Sequence, residues 1–383
     1  MSIEPCQIPG NPDITGIGIR IAIYVQSFIS FTPGILALAN GKVTRGDLEA
    51  AETQATTNLV LAFAILVSFI VQALTLGLVN YHASIVLSMS WLNNTNTFIC
   101  FLLYIQYKSQ ADTPRRVDTS WSAWALHSRD LLASLLPGAS SKGPSKRCAE
   151  HKATGGNADA RTSSKILVRR FVLVLGLLHL SLMASLGLWM WSNIQTFGNG
   201  ADASLNDCAA HYALIIILGK RVHFSSEALR IASLVFYAIF LVPGLNLALP
   251  IAVLLGLYNI CRRHLPTPTS TSKHRPGAYK RSWAILPLFI GLILLLVINV
   301  VFIADIELTL EQNASLQGMF GREWGFGQIL SMLLLLVPLR NLAETILARR
   351  IKQRQRDSNL GSRAASKLRA GQHARSSYKK RGP

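Results

Sequence analysis

The sequence predicts an all-α protein: a polytopic transmembrane helical bundle of seven spans, with its N-terminus outside and its C-terminus cytosolic. Three observations predict it. Half of the 383 residues are hydrophobic and only 15% are charged, whereas a soluble chain carries about a quarter of its residues charged. The apolar residues lie in long runs, several exceeding the roughly 18 residues that cross a bilayer as a helix, and not in amphipathic stripes. The basic residues collect in the connections that one orientation places in the cytosol.

The runs, in order, are Ile17–Ala39, Asn58–Asn80, Ala83–Gln106, Phe171–Ser192, Leu229–Tyr258, Trp283–Ala304 and Phe326–Leu347. Residues 1–14 are polar and carry no basic n-region, so the first run serves as its own insertion signal. The fifth contains Pro243-Gly244 and Pro250. Proline removes a backbone donor and kinks a helix, so this run reads as one bent or tilted span. Between the fourth and fifth lies Ala209–Gly219, whose apolar stretch is too short to cross as a helix and reads as an interfacial or re-entrant segment.

Charge sets the orientation. The net charge is +19, but no nucleic-acid motif accompanies it, so nucleic acid is not an expected partner. The 3–4 connection carries 12 Lys or Arg against 5 acids, the 5–6 connection 6 against none, and the tail from Arg349 carries 12 against Asp357 alone. These are the cytosolic segments, with anionic lipid headgroups as their natural contacts and a cytosolic protein as a further candidate partner. The organisation is then residues 1–106, an N-terminal arm and three spans; 107–170, a basic loop holding an interfacial helix around Trp121 and Trp124; 171–348, four spans; and 349–383, a basic disordered tail. A plasma membrane or another secretory-pathway membrane is the expected location.

Two features fit an outer face. Asn313-Ala314-Ser315 is a glycosylation sequon in the 6–7 connection. Cys6 and Cys208 are the only cysteines in outer segments, where they either form a disulfide or remain two thiols. Cys261, beside Arg262-Arg263, is a palmitoylation candidate.

Polar residues at bilayer depth are the candidate functional positions. The third span holds Asn93, Asn94, Thr95, Asn96 and Thr97, which at about 100° per residue point around the whole circumference. Either its neighbours enclose this helix, or it breaks there and lines a polar cavity. Gln26, Gln72, His179 and Asn246 complete the candidate cavity or ligand site, with Asn93, Asn96 and Thr97. His179 lacks an acidic partner in sequence and reads as a neutral hydrogen-bonded side chain before a proton relay. Arg20 is expected to pair with Asp13 or to snorkel. Arg340 and Glu344, four apart, form an intrahelical ion pair. No metal, cofactor or catalytic signature is present, and whether the chain catalyses a reaction stays open.

The opening stretch carries Gly16, Gly18, Arg20, Tyr24 and Gln26 as Gly-x-Gly-x-Arg-x-x-x-Tyr-x-Gln. It resembles the start of a set of fungal, basidiomycete-type multi-spanning membrane proteins of no assigned activity, and Arg230–Leu247 is similar to their late span. The resemblance implies a fungal origin and transfers no function. Seven spans in this orientation are laid out like a receptor or sensor. A channel or small-solute transporter built around the third span is the alternative, and a structural membrane protein a third reading.

Overall fold

The computed structural model describes residues 7–75, 78–111, 156–198, 203–242, 285–317 and 324–351, with scattered positions in 245–260 and 353–362. The interfacial helix, Cys6, Cys148, Cys261 and most of the basic loops and tail fall outside these residues.

Helix α1 (Pro12–Thr15) starts where the Asn11 side chain accepts from the Asp13 N–H at 3.1 Å, with proline in the first turn. Helices α2 (Ile17–Ile29) and α3 (Thr32–Ala39) follow, and Pro33 sits in the first turn of α3, where its missing N–H costs nothing. Helix α4 (Arg45–Thr75) opens on a reciprocal cap. The Asp47 carboxylate accepts from the Thr44 N–H at 2.8 Å, and the Thr44 hydroxyl accepts from the Asp47 N–H at 3.3 Å. Then come α5 (Asn80–Ala111), α6 (Gly156–Ser192), α7 (Ala203–Tyr212), strands β1 (Leu214–Ile217) and β2 (Lys220–His223), α8 (Glu227–Leu241), α9 (Leu286–Gln312) and α10 (Phe326–Leu334). Helical structure resumes over 336–351. The interruption at Leu335 lies three residues before Pro338, whose ring clashes with the preceding turn.

Among the described residues, five helical stretches are long and apolar enough to cross a membrane: Pro12–Ala39, Arg45–Thr75, Val174–Ser192, Leu286–Gln312 and Phe326–Gln355. They coincide with the first, second, fourth, sixth and seventh expected spans. Many of their apolar side chains face outward, among them Phe289, Val297, Val300, Ile329 and Leu333, an arrangement that suits lipid and not water. Helix α5 is long enough, about 48 Å for its 32 residues, but its polar middle makes it less apolar than the others. The fifth expected span is described continuously only to Val242, so the bend at Pro243-Gly244 lies outside the described residues.

Helix α5 occupies the centre. It packs against α2, α4, α6 and α9, while α8 leans on α6 and α10 on α1 and α2. The expected re-entrant segment at 209–219 is instead the end of α7 and a β-hairpin. β1 and β2 pair antiparallel, Leu214 with His223 through Ile217 with Lys220. Three consecutive isoleucines favour a strand, and the two-residue turn has positive φ at both positions, Leu218 at 52° and Gly219 at 74°, as a tight hairpin requires. The Asp305 carboxylate on α9 clamps this turn, accepting from the Leu218 N–H at 2.8 Å and the Gly219 N–H at 3.1 Å.

The hairpin belongs to a folded cap at one end of the bundle. The Ile8 N–H donates to the Leu316 carbonyl at 2.7 Å, Phe224 stacks on Trp191, and the Asn80 side chain donates to the Ile194 carbonyl at 2.6 Å. At the opposite end the buried Asp47 carboxylate pairs with Arg349.

Candidate polar belt at mid-depth

The polar side chains of the helices gather at one level. Helix α5 runs from the cap to the base, and α6 runs back. Their antiparallel packing brings Asn94 opposite His179, and Thr97 beside Gly176. Gln26 and Ser30 of α2 meet Asn58 of α4, and Asn299 of α9 meets Thr95.

Most of these groups bond in pairs across helix contacts. Gln26 donates to the Asn58 carboxamide oxygen; the Asn58 amide donates to Ser30 Oγ at 2.7 Å, and Ser30 donates to the Gln26 carbonyl at 2.9 Å. Asn94 Oδ1 lies 3.0 Å from His179 Nδ1, and the Asn94 amide points at Met183 Sδ at 3.5 Å. The Thr95 hydroxyl donates to Asn299 Oδ1 at 3.0 Å, and the Asn299 amide donates to the Leu295 carbonyl at 2.8 Å. Every residue from Asn93 to Thr97 is 3% exposed or less. Helix α5, the expected third span, is therefore unbroken here and enclosed by its neighbours, and its polar side chains radiate because helices pack around it.

The expected candidates do not all converge. Asn246 reaches Ser181 Oγ at 3.2 Å and the Leu177 carbonyl at 3.4 Å. These positions lie roughly opposite His179 on α6, so Asn246 is separated from the belt by the helix itself. Gln72 sits near the cap, bonded to Asn11 and Ser68 at 3.4 Å each. Asn93, Asn96 and Thr97 remain in the belt, and their side chains behave differently from the rest. Asn93 Oδ1, both polar atoms of the Asn96 side chain and Thr97 Oγ1 are buried with no hydrogen-bond partner, as are Gln26 Oε1 and Ser27 Oγ. Such atoms are rare in folded proteins and call for a water, an ion or a ligand. Among the described residues no cluster of His, Cys, Asp or Glu could hold a metal ion.

The belt includes Asn58 and Asn299, which were not candidates. A lone asparagine within "LLLVINVVF" was a visible signal. Asn58 was concealed because the expected span begins there, whereas α4 begins at Arg45 and carries Asn58 deep into the bundle.

The opening motif builds helix contacts. A side chain at Gly16 would collide with Gln328 Cδ at 2.3 Å, and one at Gly18 with Gln328 Cβ at 2.9 Å, while the Gly18 N–H donates to Gln328 Oε1 at 3.0 Å. The two glycines thus admit α10 against α2. Arg20 pairs with Glu307 of α9 and not with Asp13, and the Tyr24 hydroxyl donates to the same carboxylate at 2.7 Å. Asp13 instead accepts from the Gly327 N–H at 2.9 Å. Arg340 and Glu344 do form the expected i,i+4 pair, at 2.8 Å on the helix surface.

The outer-face marks fare unevenly. Asn313 is buried, its amide donating to the carbonyls of Leu214 (2.7 Å) and Thr309 (2.6 Å) and its oxygen accepting from the Leu214 N–H at 2.9 Å. A glycan cannot attach to a side chain spent in this way, so the sequon is a structural clasp for β1. Cys208 is disulfide-bonded, and its expected partner Cys6 lies outside the described residues.

The chain matches no protein-family model, no curated protein and no solved structure.

Proposed function

We propose that the chain is a receptor-like or sensor protein of seven spans, inserted with the cap outside and the basic loops and tail in the cytosol against anionic lipid. The plasma membrane or another secretory-pathway membrane is its location, and the resemblance of the Gly16–Gln26 motif makes a fungal source our reading. Arginine and lysine in the connections at the end opposite the cap support the orientation. A disulfide at Cys208 on the cap side suits an oxidising compartment.

One observation carries the sensor reading: α5 runs unbroken through the centre, wrapped by α2, α4, α6 and α9, beneath a cap that is hydrogen-bonded to the helix ends. Transporter sites at this depth are commonly built from interrupted helices, and α5 is not interrupted. The unpartnered belt atoms favour a second reading, a channel or small-solute transporter. The purified protein in proteoliposomes decides between them. Stopped-flow light scattering with glycerol or acetamide should give the flux of protein-free vesicles. A faster flux that Asn96→Leu abolishes would make the chain a channel and end the sensor reading.

A further inference from the structure

We propose that the belt is a binding site for a small uncharged solute that both donates and accepts hydrogen bonds, held against the face of α5 formed by Asn93, Asn96 and Thr97. Three positions spaced i, i+3 and i+4 lie on one face of a helix, and these three carry four of the unpartnered buried atoms: Asn93 Oδ1, Asn96 Oδ1, Asn96 Nδ2 and Thr97 Oγ1. Each residue is 2% exposed. Their neighbours on α5 found partners on α6 and α9; these did not. A face that stays polar and unsatisfied beside helices able to supply side-chain partners is built for something other than a helix contact.

The wall opposite is a glycine within reach of this face. Thr97 faces α6 at Gly176, which has no side chain; a methyl added there would meet Thr97 Cγ2 at 3.5 Å and Leu59 Cδ1 at 3.8 Å, both ordinary contact distances. Elsewhere in the bundle glycines are crowded: the same methyl at Gly187 or Gly291 would lie 2.6 Å from a neighbouring side chain.

The chemistry of the face selects the ligand. Two carboxamides and a hydroxyl offer acceptors and donors together. No Asp, Glu, Lys or Arg occurs in α4 from Thr53 to Thr75, in α5 from Asn80 to Gln106, or in α6 from Phe171 to Ser192. A charged ligand would therefore sit unpaired in the low-dielectric interior, at a cost this face cannot offset. A purely apolar ligand would leave the orphaned atoms as they are. A primary amide or a small polyol satisfies both kinds of group.

This assignment deepens the sensor reading by naming the ligand class, and its test separates the two. Equilibrium dialysis of radiolabelled acetamide and glycerol against the full chain in nanodiscs should show saturable binding of at least one probe. Acetate and methylammonium should not compete. Thr97→Val, which exchanges the hydroxyl for a methyl, should weaken binding about tenfold, the worth of one buried hydrogen bond, and Gly176→Val, whose larger side chain would press on Thr97, should weaken it as well. Asn246→Leu, on the far side of α6, should leave binding unchanged, and cooperative thermal unfolding confirms that each variant is folded. Absence of saturable binding to the wild-type protein would overturn the proposal, as would binding that neither Thr97→Val nor Gly176→Val reduces. The sensor reading would survive either result, because it fails only on solute flux.

Discussion

Replacing Gly187 with alanine should weaken the bundle, whereas the same replacement at Gly176 should strengthen it. At Gly187 the new methyl would lie 2.6 Å from Tyr237 Cδ1 and Cγ and 2.7 Å from Cδ2, so the phenol ring is laid flat on the glycine. Carbon atoms in contact sit about 3.5–4.0 Å apart, and the ring must therefore retreat by about 1 Å. Tyr237 is buried, with Phe236 packed edge-on against it. Overpacking of this kind costs about 1–3 kcal/mol, against a gain of about 1 kcal/mol for alanine over glycine in a helix. The net is a loss of about 1 kcal/mol. At Gly176 the contacts are ordinary, so only the gain remains, and the two variants should stand about 2 kcal/mol apart. Reversible unfolding in mixed detergent micelles measures both against the wild type. Equal stabilities, or a more stable Gly187→Ala, would refute the packing of α8 on α6.

Other perturbations test the two ends. Asp47→Ala should destabilise by about 3–5 kcal/mol, because it strands the Arg349 guanidinium, 27% exposed, and removes the cap of α4; a loss below about 1 kcal/mol in the same unfolding assay would show that this end is not latched. Asp305→Ala should release the hairpin turn and speed amide exchange at Leu218 and Gly219, while Leu218→Gly should stabilise it by about 1 kcal/mol by relieving the positive φ. Treatment of the protein with a glycosidase should not change its mobility through any glycan at Asn313. Non-reducing peptide mapping should recover Cys208 joined to Cys6; a Cys208 peptide joined to Cys148 or Cys261 would contradict the proposed sidedness of the loops.

How much of this was legible in the sequence follows from the range of the interactions involved. Apolar runs announce themselves locally, so the five membrane-length helices among the described residues agree with spans read from hydropathy. The polar ring at Asn93–Thr97 posed two alternatives, and enclosure is the outcome because α5 contacts helices on all sides. The strand signal in "LIIILG" was present, β-branched residues followed by glycine, but a hydropathy reading treats any apolar stretch as membrane-seeking. The partners were not legible. Glu307 stands 287 residues from Arg20, and nothing local distinguishes it from Asp13. The Asn313 tripeptide has the letters of a glycan acceptor, and only the burial of its amide shows that those letters serve a clasp.

The orientation of the bundle in the membrane is the point on which the account most depends. Lys220→Cys on the exposed hairpin and Ser358→Cys in the tail, each expressed in intact cells and treated with a membrane-impermeant maleimide, address it directly, with mass spectrometry locating the label. Label on the hairpin of sealed cells, and on the tail only after permeabilisation, is the predicted result. Label on the tail of sealed cells, or a hairpin that reacts only after permeabilisation, would contradict it.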